Sequence, residues 1–131
     1  MSWSAWPFGT PPVASGLGGM EKYRARLSPS NGRVTVNVAD GNVVLVLLSA
    51  NTTFEFRCPV GPGTALSFTL GLLQDGTGSR TCTWPSSVDW GTTGAPTLTT
   101  TANKVDWVTF LSVNGGRSWH GFLSAKGFAQ P

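Results

Sequence analysis

Residues 33–48 read RVTVNVADGNVVLVLL. Val34, Val36 and Val38 alternate with polar neighbours, the two-residue period of a strand with one buried face. Asp40 to Asn42 is a turn signal, and Val43 to Leu48 follows as a short run apolar on both faces, the pattern of a central strand. Strand, tight turn, strand, with no neighbouring stretch of helical periodicity, places the chain in the all-β class.

The same grammar continues toward the C-terminus. Phe54, Phe56 and Cys58 alternate and stop at Pro59. Leu66, Phe68, Leu70 and Leu72 form one face of a further strand, which QDGTGS (74–79) ends. Arg80 to Trp84 is a short strand halted by Pro85, since proline cannot donate to a ladder. A long polar excursion runs from Ser86 through GTTGAPTLTTTAN (91–103). A hairpin then closes the domain, with Val105–Val113 and Arg117–Leu123 joined by Asn114–Gly116. Many short strands with regular turn signals predict a single antiparallel β-sandwich of jelly-roll or Greek-key type over residues 31–131.

Residues 1–30 are different. MSWSAWPFGTPPVASGLGG carries Trp3, Trp6 and Phe8 among Pro, Gly and Ser, with neither helical nor alternating periodicity. Such a segment cannot build its own core, so it reads as an extended attachment arm. Lys22, Arg24, Arg26 and Arg33 follow with only Glu21 opposing them, and supply most of the formal charge of +3. A domain that reads nucleic acid interleaves exposed aromatics with its cations. Only Tyr23 lies inside this cluster. A basic edge that meets an acidic protein partner, or a solvated segment, fits better, and no direct nucleic-acid contact is expected.

Charged residues are 11% of the chain, against about a quarter in an ordinary globular domain. No signal peptide is visible, and the longest apolar run, Val43 to Leu48, is far shorter than a membrane span. The expectation is a soluble protein made in a reducing cytoplasm, without membrane insertion. Cys58 and Cys82 are too few for a disulfide framework and read as small buried hydrophobes.

The search for chemistry yields no catalytic, cofactor or metal site. His120 is the sole histidine and sits in a closing strand, and the six acids lie in turns or on the polar sides of strands. DGTGS (75–79) lacks the oxygen ligands of an EF-hand and the Lys-Ser/Thr end of a P-loop. It reads as a tight turn, with Gly76 and Gly78 supplying left-handed conformations. Trp84 and Trp90 flank the Trp-Pro bend. Packing against one open end of the sandwich is the simpler account of them; a stacking platform for glycan is the alternative.

LLQDGTGSRTCTWPSSVDW (72–90) followed by APTLTTTANKVDWVTFLSVNGGRSWHGF (95–122) resembles a β-sandwich domain that recurs in structural proteins of tailed bacteriophages. Tail fibres, head fibres and capsid decoration proteins carry it. The Gln-Asp-Gly turn, the Ser-Arg-Thr strand, the Trp-Pro corner, the Thr-rich excursion and the Gly-Gly hairpin occur in the same order, over residues 43 to 128. Cys82 and Trp107 stand where smaller aliphatic residues are expected, and the turn after Trp90 lacks the family's Pro-Gly.

The resemblance implies a non-enzymatic virion component without cofactor, assembled in the host cytoplasm and displayed on the virion surface. It is expected to be a homo-oligomer, with a trimer favoured. A chain with its own Met1, a short apolar arm and one sandwich suits a small protein clipped to a shell. The leading expectation is therefore a capsid decoration or head-fibre protein. Trp3, Trp6, Phe8, Lys22, Arg24 and Arg26 would attach it to the major capsid protein or another virion protein. A small tail-fibre or receptor-binding component stands second. A carbohydrate-binding module, with Trp84 and Trp90 as contacts to a host-surface glycan, is the reading from another class.

Overall fold

A computed structural model of the chain describes residues 22–58, 61 and 63–131. Nine strands are formed among them: β1 (Tyr23–Leu27), β2 (Arg33–Asn37), β3 (Val43–Leu48), β4 (Thr52–Arg57), β5 (Leu66–Gln74), β6 (Cys82–Thr83), β7 (Val88–Asp89), β8 (Lys104–Ser112) and β9 (Trp119–Ala129). A six-stranded sheet in the order β1-β3-β5-β8-β9-β7 packs on a three-stranded sheet in the order β2-β4-β6. The protein is an all-β sandwich, as its short alternating strands predict.

The strand directions depart from the antiparallel expectation. Pairs β1/β3, β3/β5, β2/β4, β4/β6 and β7/β9 are parallel, while β5/β8 and β8/β9 are antiparallel. From β1 to β6 the chain crosses to the opposite sheet after every strand, so successive strands of one sheet run the same way. Tyr23 lies beside Val43 in one sheet and Val34 beside Phe54 in the other. Both layers thus advance by the same length of chain over the first coil, as in a solenoid, and by longer, unequal lengths over the second. The turn read from Asp40 to Asn42 falls earlier, over Asn37–Asp40, with the Asp40 amide donating to the Asn37 carbonyl at 3.0 Å and the Ala39 amide to Asn37 Oδ1 at 3.0 Å. It carries the chain between layers rather than back into its own sheet. Only after β6 does the chain turn to antiparallel pairing.

β1 lies within the segment that the sequence assigns to the arm. It forms one edge of the large sheet, exposed along most of its length, with the Lys22 carbonyl accepting from the Asn42 and Val43 amides. β3, flanked by β1 and β5, is the central strand its apolar run predicts.

Burial explains why the layers close on each other. Val34, Val36 and Phe54 of the small sheet face Val44, Val46, Phe68, Leu70, Val108 and Phe110 of the large one, and Trp119 joins them. Each such side chain contributes roughly 1.5–3 kcal/mol when fully buried. Phe68 stacks on Phe110 with centroids 5.1 Å apart, and Phe56 meets both edge-on. On the outer face of the large sheet, Leu45, Leu73 and Val105 form a second cluster with Leu47 and Trp107.

Candidate functional site

The polar excursion between β6 and β8 builds one wall of a surface groove. Pro85 ends β6 and turns the chain, its carbonyl accepting from the Val88 amide at 3.1 Å. β7 then settles against the start of β9, with Val88 beside Trp119 and Asp89 beside His120. Gly91 and Gly94, at φ 68° and 74°, bend the next residues around a short 3-10 turn, Gly91–Thr93. Positive φ is what glycine tolerates without cost.

Buried polar side chains anchor the excursion. Asp106 Oδ2 accepts from the Thr99 amide at 2.6 Å and Oδ1 from the Gly127 amide at 2.9 Å. Gln74 accepts from the Arg80 amide and donates to the carbonyls of Arg80 and Thr99. Lys126 Nζ donates to the Thr97 carbonyl at 2.9 Å. These ties fix the 97–99 end of the excursion, and residues 91–97 line a groove of about 670 Å³ beside β9. Asp89, Thr93, Thr97, His120, Phe122 and Leu123 are exposed along it, and Trp90 and Gly121 form its floor. The groove offers a carboxylate, an imidazole, hydroxyls and an aromatic ring, groups that can accept, donate and stack.

The structure brings Trp84 and Trp90 together, with centroids 5.4 Å apart and rings edge to face. Trp84 stacks on Phe54 at 5.0 Å, and both indoles touch Phe110. The pair is half-buried and closes one end of the core. Trp90 alone reaches the groove, lying so near Gly121 that a Cβ there would be 2.7 Å from its ring.

Arg24 and Arg26 are exposed on β1, at the opposite edge of the large sheet, with Lys22 just before them. Arg33 is paired with Glu55 at 2.9 Å on the surface. Trp3, Trp6 and Phe8 lie outside the described residues. The sequence does not mark Asp89, His120 and Phe122 as neighbours. Asp89 and His120 meet only through a two-residue ladder between distant segments, which no local pattern announces.

The remaining titratable groups serve the fold. Asp75 receives Arg80 through both carboxylate oxygens and accepts the Thr77 and Gly78 amides. The Arg80 bond holds its pKa below the ordinary aspartate value, against the opposing effect of burial. In this turn Gly78 and Ser79 take positive φ and Gly76 does not, which corrects the sequence expectation at Gly76. Cys58 and Cys82 are free thiols; burial, with a smaller contribution from the Asp106 charge, pushes Cys82 up to about 12. Among the described residues no three His, Cys, Asp or Glu gather as metal ligands would, and no helix is long and apolar enough to cross a membrane.

Comparison with known proteins gives one family. The model of the family described as "Putative phage tail fibre C-terminal domain" matches residues 32–118, from just before β2 to just before β9. No curated protein and no solved structure matches the chain.

Proposed function

This chain belongs to the phage tail fibre C-terminal domain family and is a structural protein of a phage particle; on that premise we propose that it is a tail-fibre component exposed on the virion surface. The family match over β2 to β8 carries the reading, and it favours the tail-fibre alternative over the capsid decoration protein that the sequence put first. The component associates with other virion proteins and forms a homo-oligomer, with a trimer favoured.

Attachment is assigned to the N-terminal segment, through Trp3, Trp6 and Phe8 together with Lys22, Arg24 and Arg26. The fold supports this division, because β1 and the groove lie toward opposite edges of the six-stranded sheet. An attached β1 edge leaves the groove free. Immunogold electron microscopy of intact particles, with antibody raised against residues 32–118, tests the placement. Label on the tail fibres is expected, and label over the head shell would return the decoration reading.

A further inference from the structure

We propose that the outer face of the six-stranded sheet, around Thr109, Leu111 and Phe122, is the surface through which copies of this chain associate. The inference rests on the homo-oligomer reading above and assigns it a face.

The register decides which side chains share that face, because residues directly opposite one another across a ladder point to the same side. Leu45 lies beside Gly71, and Gly71 beside Trp107. With the two-residue alternation of a strand, the outer face is therefore built by the odd-numbered residues of β3, β5 and β8. The even-numbered ones, Val44, Leu70 and Phe110 among them, point into the core. β9 adds His120 and Phe122, opposite Leu111 and Thr109.

None of these outward residues is Asp, Glu, Lys or Arg. Both charged residues of β8, Lys104 and Asp106, fall on the even-numbered side. The outer face of the small sheet has the contrary character, with Arg33, Glu55 and Arg57 on its ladder. In a chain of net charge +3, copies repel wherever basic groups meet. Self-association sets a face against the same chain, and on this face no like charges are brought together. A different protein would be selected through complementary charge, which this face lacks.

Area and polarity agree. Leu111 is 38% exposed, Phe122 46%, and Val113, just past β8, 70%. Between the two strands' apolar side chains, the Thr109 hydroxyl lies 3.3 Å from that of Thr69 and 2.9 Å from that of Ser124. These hydroxyls satisfy one another, so a second copy can cover them without orphaning a polar group. The nine-residue β5 and β8 span about 30 Å. Four strands side by side add a width of about 19 Å. Each copy thus presents roughly 600 Å², where a specific interface begins at about that area per partner.

Sedimentation of the whole chain over a range of concentrations tests the face. The parent is expected to associate. Leu111→Lys and Phe122→Lys should each raise the dissociation constant at least about tenfold, and Thr35→Lys on the small sheet should not. An oligomer indifferent to both outer-face lysines overturns the face and leaves the homo-oligomer reading standing; a monomeric parent overturns both. Hydroxyl-radical footprinting of the parent needs no variant to fold. Oxidation of Leu111 and Phe122 should fall as concentration rises through the association range, and unchanged oxidation across it would overturn the face. Protection of both residues in a monomeric chain would make residues 1–21 the cover and overturn it as well.

Discussion

The indole of Trp107 lies over Gly71, its partner across the β5/β8 ladder, so closely that a Cβ on Gly71 would fall 2.6 Å from the ring. Leu45 Cδ1 would be 2.9 Å away on the same side. A large ring opposite a glycine is one solution to packing the outer face of the large sheet, and it accounts for a tryptophan where the phage sandwich pattern suggests a smaller residue. Gly71→Ala should destabilise the protein by about 1–3 kcal/mol, because ring or leucine must leave its place. Gly71→Ala combined with Trp107→Leu should recover part of the loss. Urea unfolding of the three proteins checks both statements; additive effects would show that the two residues do not share the space.

How much of this arrangement the sequence displays depends on the range of the interaction. The alternation of Val34 and Val36, and of Phe54 and Phe56, follows from neighbours along one strand and is legible. That the first pair lies beside the second is a statement about layers. The signal that could have carried it is their equal spacing from one coil to the next. A tight turn between β2 and β3 looks the same whether the chain folds back or crosses over, so the sequence shows the strands and not their parallel pairing. The site divides likewise. Trp84 and Trp90 are close in sequence and legible as a pair, whereas Asp89 and His120 are joined by β7, too short to show any period.

Phe110 is fully buried and touches Phe56, Phe68, Trp84 and Trp90, so it links the middle of the core to its closed end. Phe110→Ala should cost about 3–5 kcal/mol. Thermal unfolding measures the loss, and near-ultraviolet circular dichroism should change as well, since both indoles lose a neighbour. A stability within about 0.5 kcal/mol of the parent would place this ring outside the core.

Cys82 should make stability pH-dependent on the alkaline side. Its folded pKa is pushed up to about 12, whereas an unfolded cysteine titrates at about 8.5. The contribution is fully present below the unfolded value, because both states then hold the proton. It declines as pH rises through this window, since the unfolded chain releases its proton first, and is gone by the folded value. Denaturant midpoints from pH 7.5 to 10.5 should fall more steeply for the parent than for Cys82→Ala. In the folded protein at pH 8, alkylation of Cys82 should be slower than in the denatured chain, where both thiols react.

Asp106 ties the excursion to the last strand, and removing one carboxylate oxygen should loosen both. The side chain is 2% exposed, and its two oxygens serve the amides of Thr99 and Gly127. In Asp106→Asn one oxygen becomes an NH₂ group that faces an amide donor, so one of the two amides loses its acceptor away from water. Such an orphaned group costs about 1–3 kcal/mol. Hydrogen exchange should show faster exchange at Thr99 or Gly127, and the Lys126–Thr97 tie, which joins the same two segments, should weaken with it. The same substitution removes the charge that helps to raise Cys82, so the Cys82 thiol should titrate lower than in the parent. Amide exchange and thiol titration are independent readouts of one carboxylate. If both amides keep their protection in a folded Asp106→Asn protein, the groove wall is held by Gln74 and Lys126 and the role given to Asp106 is wrong.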